Sequence, residues 1–470
     1  MNFKRISFYL SLFCFPVSFL SFINILYASY FDYFLSIDTY FITLVFSLLL
    51  GLSFFYYGKK SPKNLNFIEQ LILIIATYIL TAILISIPFY LSNYQVSFIN
   101  SLFESISGLT GTGFSIFKDI KYLDPTLILW RSSSQWFGGL FFLFFLVIIF
   151  SNKSFNYKMT NLTYSGDNNF NSESSIKNNL LRIFLIYSLL SIGILSLLNL
   201  SGVRLFNSLN LSMTLISGGG FLPTENINRI VSTNFQKIIL IFSFMISMLN
   251  FYLLFNLFNK NTLIKEHKED FNLIVISIIF SSLIYFNNHN GLDIIISVTS
   301  SLANSGLALI ETDENLSLYF LLITIIGGSL ISNSSGIKLT RFYILLKITS
   351  SEIIKLISPN SVINKTIFGS DKKILDDHVK ISFLIFISFF LSLFILSSLL
   401  VVDNIGFEKS FKLSILTLTN TVNSEMYNMQ NINFSNLLIS SKISLILFMI
   451  IGKIELISFF LIFKKIFFKD

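Results

Sequence analysis

Charge is scarce in this sequence. Of its 470 residues, 12% are Asp, Glu, Lys or Arg and 53% are hydrophobic. A soluble domain carries about a quarter charged residues, so the composition excludes a water-soluble globule and points to a bilayer. Cysteine is nearly missing. Cys14 stands alone, which excludes an intramolecular disulfide and leaves the redox compartment unread. Three His and one Cys are too few ligands for a dedicated metal centre. The stretch SNSSGIK lacks the G-x-x-x-x-G-K-[ST] spacing of a phosphate loop. The apolar runs hold no His and very few acids, so neither a nucleophile–base pair nor paired carboxylates are at hand. An enzyme is therefore not expected.

What is there is apolar sequence in long runs. Spanning a bilayer takes roughly 20 apolar residues. Runs of that order lie near 6–28, 40–57, 66–92, 126–151, 180–200, 237–259, 271–287, 317–347, 380–402 and 436–463. The first follows Lys4 and Arg5 but exceeds the 7–15 residues of a signal-peptide core. We read it as a membrane helix. The last eight runs form four pairs, each enclosing a shorter segment marked by Ser, Thr and Gly: 97–113, 205–220, 291–306 and 408–422. These inner segments are too short and too polar to span. The expected fold is an all-α polytopic membrane protein with four helix–pore-loop–helix repeats around a central pore, preceded by two N-terminal transmembrane helices. The divisions are 1–62 for those two helices, then 63–152, 153–262, 263–355 and 356–470 for the repeats.

Orientation follows from the basic residues. With a cytoplasmic N-terminus, 23 of the 33 Lys and Arg fall on the inner face and 7 on the outer, with Arg131, Lys442 and Lys453 within or at the edge of spans. The positive-inside rule then places both termini inside and lets all four short segments enter from outside. The same asymmetry accounts for the net charge of +8 without invoking nucleic acid.

The inner segments carry the chemistry. The first reads FESISGLTGTGFSIF over 103–117. Non-helical backbone lies at membrane depth only where protein buries it or where it lines a wet cavity. Gly takes φ > 0 without steric cost, so a Thr/Gly run turns carbonyls toward an axis, and four such strands replace the water shell of a cation. The short helix before each strand points its partially negative C-terminal pole at the same axis. TLISGGGF (214–221), SSLANSGL (300–307) and LTLTNTVN (416–423) occupy the matching places. Gly and Ser also serve close helix packing in membranes, but four segments at equivalent positions favour the ion-facing reading.

FESISGLTGTG, LDPTLILWRSSSQWFGG (123–139), IGGSLISNSSGIKLTRF (326–342) and GKIELISFF (452–460) together resemble the Trk/Ktr/HKT superfamily of potassium transporters. The two extra N-terminal helices resemble its TrkH branch. The resemblance covers nearly the whole chain. It implies potassium uptake across the bacterial cytoplasmic (inner) membrane through a carbonyl filter. Gly113, Gly219 and Gly306 match the filter glycines of the first three repeats. Gly111-Thr112, Ser217-Gly218, Asn304-Ser305 and Asn420-Thr421 match the residues whose carbonyls face the ion, K⁺. Gly327, Gly328 and Ser332-Asn333-Ser334-Ser335-Gly336 match a broken helix whose middle gates the pore below the filter. Lys453 matches a basic residue, usually Arg, facing that gate. The resemblance further implies a homodimer in membrane lipid and a cytosolic nucleotide-binding, TrkA-like regulatory subunit on the basic inner face. No cofactor is expected on this chain itself, and no nucleic acid.

The sequence departs from the family in several places. Val422 replaces the fourth filter glycine, and a β-branched residue resists φ > 0, so the fourth strand is expected to bend differently. Gly111 and Gly218 stand where larger residues are usual and loosen their strands. Lys453 keeps the charge but not the planar fork of Arg. Sodium, or sodium and potassium together, is therefore the alternative cargo.

Other residues carry weaker expectations. Lys453 lies about ten residues before Lys464, roughly 15 Å inside the cytoplasmic end, and an intramembrane charge is functional by default. Glu104 either adds negative potential near the pore or anchors its short helix. Arg131 either pairs with an outer-mouth carboxylate or supports the back of the filter. Asp124-Pro125 reads as a helix start, and Gly138-Gly139 as packing notches. Glu455 is expected to pair with another helix. His267, His289 and His378 are placed in solvated loops.

Overall fold

The computed structural model describes residues 3–62, 65–150, 173–251, 253–254, 267–285, 290–309, 314–361, 363–368, 373–429 and 432–454. Helices dominate throughout, and the described residues form no named strand. The first two, α1 (Phe3–Tyr30) and α2 (Phe34–Gly58), make an antiparallel hairpin. At 1.5 Å per residue, α1 is about 42 Å long, enough to cross a bilayer. It buries Phe13, Cys14 and Val17 against the rest of the molecule.

Each repeat then has the same form. The first is α3 (Phe67–Leu91), α4 (Phe98–Thr110) and α5 (Pro125–Phe150); the second is α6 (Glu173–Leu200), α7 (Leu205–Ser217) and α8 (Asn234–Met248). The third is α9 (Lys268–Tyr285), α10 (Gly291–Leu302) and a broken helix made of α11 (Glu314–Ile326) and α12 (Leu339–Ile357). The fourth is α13 (Asp376–Val402), α14 (Phe407–Leu418) and α15 (Ile439–Ile454). Among the described residues, α1, α2, α3, α6 and α13 are long and apolar enough to cross a membrane by length and composition alone. The four inner helices are 13, 13, 12 and 12 residues long, about 18–20 Å each, and stop inside the molecule.

Local signals explain the ends. Asn66 and Glu69 form a capping box on α3, with Asn66 N–H donating to Glu69 Oε2 at 3.1 Å. Arg5 sits 3.5 Å from the same carboxylate, which ties α1 to the start of the first repeat. Thr233 and Gln236 cap α8 in the same way, and Gln236 Nε2 reaches Ser201 O at 3.1 Å. Trp130 donates from Nε1 to Ile85 O at 3.0 Å, pinning α5 to α3. Phe13 stacks edge-on against Phe141, with ring centroids 4.9 Å apart, and so seats the N-terminal hairpin on α5.

The core sits where the inner helices end. Leu109, Ile216, Leu302 and Leu418, each the last or next-to-last residue of its inner helix, are all buried. Losing one such side chain typically costs about 2–5 kcal/mol, so the centre is rigidly packed. Two expectations need correction. The division after residue 355 falls inside α12, which runs to Ile357. Of the histidines, His378 is buried on α13 and accepts from Leu375 N–H at 3.1 Å, while His267 is buried against Asp270. Neither is solvated: His378 takes up a backbone N–H at the start of α13, where helix ends lack partners, and His267 packs against the Asp270 carboxylate at the start of α9. The divisions at 62/63, 152/153 and 262/263, His289 and Glu455 fall at or within residues outside those described.

Candidate functional site

The four inner helices break in one shared way. After α4, α7, α10 and α14, the chain turns left-handed at Gly111 (φ 79°), Gly218 (φ 67°), Asn304 (φ 59°) and Asn420 (φ 49°). Gly enters this region freely, and Asn is among the few L-residues that visit it routinely. Following residues then donate back to the helix end, as in Gly219 N–H to Thr214 O (2.9 Å), Ser305 N–H to Ser300 O (3.0 Å) and Thr421 N–H to Leu416 O (2.9 Å). In the first segment Gly113 N–H reaches Ser107 O at 3.3 Å. The Ser107 hydroxyl donates to Phe114 O at 2.7 Å, and the Thr214 hydroxyl donates to Phe221 O at 2.9 Å.

These bonds fix the register between segments. Gly111, Gly218, Asn304 and Asn420 are equivalent, as are Thr112, Gly219, Ser305 and Thr421, then Gly113, Gly220, Gly306 and Val422. The second segment is thus shifted by one residue from the sequence reading. Gly220, not Gly219, stands opposite Gly113, and Ser217 is the last residue of α7. Three glycines in a row hid this offset. The shared Gly-Phe pairs, Gly113-Phe114 and Gly220-Phe221, were the signal that would have revealed it.

The segments close into a ring in chain order. A methyl group added at Gly111 would lie 3.9 Å from Gly219 Cα, and one at Gly218 would lie 3.1 Å from Ala303 O. Asn304 Nδ2 donates to Thr421 Oγ1 at 3.4 Å, and Asn420 Nδ2 donates to Thr112 Oγ1 at 3.0 Å. First touches second, second touches third, third touches fourth, and fourth returns to first. The Ser305 hydroxyl adds a 2.6 Å bond to Gly219 O.

Val422 changes one layer of the ring. Gly113 (φ 80°) and Gly306 (φ 73°) are left-handed there, whereas Gly220 and Val422 are not. The fourth strand is therefore bent unlike the first and third, as a β-branched residue requires, and the second, with Gly220, departs from them as well. Its isopropyl group reaches across: a methyl at Gly220 would stand 2.4 Å from Val422 Cβ, and one at Gly306 would meet Val422 O at 3.0 Å. Above this layer opens a cavity of about 510 Å³ lined by Gly113, Gly220, Leu307, Val422, Glu225 and Glu425 among others.

The ring's carbonyls are unusual. Those of Gly111, Thr112, Gly218, Asn304, Ser305, Asn420 and Thr421 belong to buried residues. Among the described residues, none of the seven accepts a hydrogen bond. More than 90% of buried backbone carbonyls are paired, so seven unpaired on one ring stand out. Behind the first segment, Glu104 accepts from Arg131 Nε at 2.7 Å and from Ile116 N–H at 2.8 Å. The Arg131 guanidinium lies 4.2 Å from the Phe221 ring centroid. Arg131 thus supports the back of the ring, and Glu104 anchors the strand that leaves α4. Gln135 Oε1 accepts from Phe221 N–H at 3.2 Å, a contact the sequence reading missed although Gln135 lies in the 123–139 stretch.

Beneath the ring runs the break between α11 and α12. Gly327 (φ 68°) and Gly336 (φ 80°) bound it. A methyl at Gly327 would clash with Ser335 O at 2.4 Å, so the segment folds tightly on itself. Asn333 Nδ2 donates to Ile216 O at 2.8 Å under the second segment, and Ser335 Oγ donates to Asn420 Oδ1 at 3.0 Å under the fourth. Lys453 on α15 is buried, donates from Nζ to Asn333 O at 2.9 Å, and sits 4.7 Å over the Phe142 ring. Its ammonium is 3.9 Å from where a methyl at Gly111 would be. Ring, crossing segment and Lys453 form one contiguous site. Gly138 is a packing notch, where a methyl would overlap Leu109 O. Lys338 and Arg341, counted above as inner-face charges, are buried at this break instead.

Four re-entrant segments closing on one axis define a polytopic membrane protein of the four-repeat pore-loop class. Its homologues are Trk potassium-uptake proteins and a cation transporter. The chain is 26% identical over 467 residues to the Trk system potassium uptake protein TrkG of Escherichia coli, covering 93% of this chain and 92% of that protein. It is 25% identical over 445 residues to an uncharacterized cation transporter of Methanocaldococcus jannaschii, covering 90% and 89%. The fold matches the crystal structure of the potassium transporter TrkH from Vibrio parahaemolyticus with a TM-score of 0.87, at 18% identity and full coverage of both chains. No protein-family model matches the chain. The relatives are named as transport or uptake proteins, which bears out the expectation that this is not an enzyme.

Proposed function

We propose that the chain carries potassium inward across the cytoplasmic membrane, through the ring as selectivity filter and past the crossing segment as gate. The observation that carries this reading is the set of seven buried, unpaired carbonyls on one closed ring. Carbonyls so placed replace the hydration shell of an alkali ion, and the C-terminal poles of α4, α7, α10 and α14 add partial negative charge. An interior-negative potential supplies about 2.3 kcal/mol per charge per 100 mV, so no cofactor on this chain is required. The gate would comprise Gly327, Gly328, Ser332 to Gly336 and Lys453. The Lys453 ammonium repels a cation arriving from the ring.

A second reading, sodium or mixed transport, is favoured by one observation: Val422 enters the outermost layer of the ring and makes it asymmetric. Purified protein in liposomes under an imposed potential distinguishes the two. Uptake of ⁸⁶Rb⁺ well above ²²Na⁺ supports potassium; equal or reversed uptake supports the second reading.

The basic inner face (23 of 33 Lys and Arg in the sequence count, 21 without the buried Lys338 and Arg341) supports cytoplasmic termini. It also offers a docking face for a cytosolic nucleotide-binding subunit of the TrkA type, and the membrane subunit would work as a homodimer. Size-exclusion with light scattering, alone and with such a subunit, tests both assemblies.

A further inference from the structure

The crossing segment between α11 and α12 is non-helical and buried, so each of its polar backbone groups needs a partner. Three consecutive residues, Ser329 to Ile331, find theirs in one place. Ser329 N–H donates to Met248 O at 2.9 Å, and Ile331 O accepts from Phe251 N–H at 2.8 Å, so the segment lies along the end of α8. Between these two bonds, Leu330 N–H donates to Glu269 Oε1 at 3.0 Å, and the Thr340 hydroxyl donates to the same oxygen. The next residue, Asp270, accepts from Asn250 N–H through Oδ1 at 2.8 Å and faces His267 Nδ1 through Oδ2 at 3.2 Å. Both carboxylates are about 2% exposed.

Two consecutive acids at the start of α9 have an ordinary explanation as helix caps. The bonds point elsewhere. Glu269 grips the crossing segment and the first turn of α12, while Asp270 grips Asn250, two residues past the end of α8. One oxygen, Glu269 Oε1, thus serves two buried donors from different elements, and removing it leaves both without that acceptor. We propose that Glu269 and Asp270 are positioning residues that latch the crossing segment, the end of α8 and the foot of α9 into one body. The segment then moves only with the α8–α9 junction or by releasing Leu330 from Glu269. Displacement applied to the foot of α9 is thereby delivered to the pore.

The inference rests on reading the crossing segment as the gate, and the test separates the two claims. In full-length protein, hydrogen–deuterium exchange of residues 327–338 and ⁸⁶Rb⁺ flux in liposomes are measured for Glu269→Ala, Glu269→Gln, Thr340→Val and Lys453→Met. Glu269→Ala is expected to speed exchange of the segment and raise flux about 10-fold, in line with the loss of a buried acceptor that serves two donors. Glu269→Gln, whose amide oxygen still accepts from Leu330, recovers part of the loss. Thr340→Val, a mild change that keeps the protein folded if Glu269→Ala does not, gives a smaller effect in the same direction. Wild-type exchange and flux in Glu269→Ala, or in Thr340→Val where it stands in, overturn the latch. Faster exchange in Glu269→Ala with unchanged flux there and in Lys453→Met supports the latch and removes the gate.

Discussion

The side-chain amide of Asn420 donates to Thr112 Oγ1 at 3.0 Å, joining residues 308 apart in sequence and closing the fourth inner segment onto the first. The same nitrogen reaches Met449 O at 2.9 Å on α15. Asn304 repeats the arrangement, with Thr421 Oγ1 at 3.4 Å and Thr324 O at 2.9 Å. In each case one Asn supplies the left-handed turn and bolts its segment to the next. The first two segments use Gly at this position and have no side chain there to reach onward, so the first meets the second by backbone proximity and the second is tied to the third by the Ser305 hydroxyl on Gly219 O. The ring is therefore stiffer on the side of the third and fourth repeats.

Asn420→Ala loses both roles. Left-handed backbone costs an ordinary L-residue about 1–2 kcal/mol, and orphaned buried partners cost about 1–3 kcal/mol. Asn420→Gly removes the bonds but keeps the turn. Thermal unfolding in detergent is expected to rank wild type above Gly above Ala; Gly no more stable than Ala would refute the double role.

Val422 and Gly220 share one space. Gly220→Ala places a methyl on the Val422 side chain and is expected to abolish ⁸⁶Rb⁺ uptake. Adding Val422→Gly to that variant restores uptake, and Val422→Gly alone raises it several-fold over wild type. A double variant as inactive as Gly220→Ala would show that the two do not meet in the ion path.

Lys453→Met removes the ammonium and its bond to Asn333 O. Bonds involving a charged group contribute about 1.5–3 kcal/mol, and each 1.4 kcal/mol is a factor of ten. Flux is expected to rise about 10-fold or more. Unchanged flux with unchanged stability would assign Lys453 to packing alone.

Glu104 and Arg131 form a buried ion pair at 2.7 Å, each 1% exposed or less. Removing one partner of such a pair typically costs about 3–5 kcal/mol. Arg131→Ala is expected to lower the unfolding temperature sharply, and Glu104→Leu combined with Arg131→Met to recover much of it. Equal loss in single and double variants would point to the separate bonds to Ser115 and Ile116 as the larger contribution.

Much of this was legible in the sequence because the bilayer enforces simple rules. Apolar runs of sufficient length gave the helices, and the short polar segments between them gave the inner elements. The break between α11 and α12 showed as SNSSG inside an apolar run. What escaped reading depended on three-dimensional register. The run Ser217-Gly218-Gly219-Gly220 admits two alignments, and only the bond from the Thr214 hydroxyl to Phe221 O decides between them. Glu269 and Asp270 drew no notice, because nothing nearby in sequence announces that Leu330 will come to rest on one of them. His267 and His378 were misplaced for a related reason. A polar residue next to a span reads as solvated until a helix end is found to need it.

The most direct test of the account is anomalous diffraction from crystals of the protein soaked in Rb⁺ or Tl⁺. The account predicts density on the axis enclosed by Thr112, Gly219, Ser305 and Thr421, coordinated by main-chain oxygens. Ions bound only away from that axis, in protein that still transports them, would contradict it.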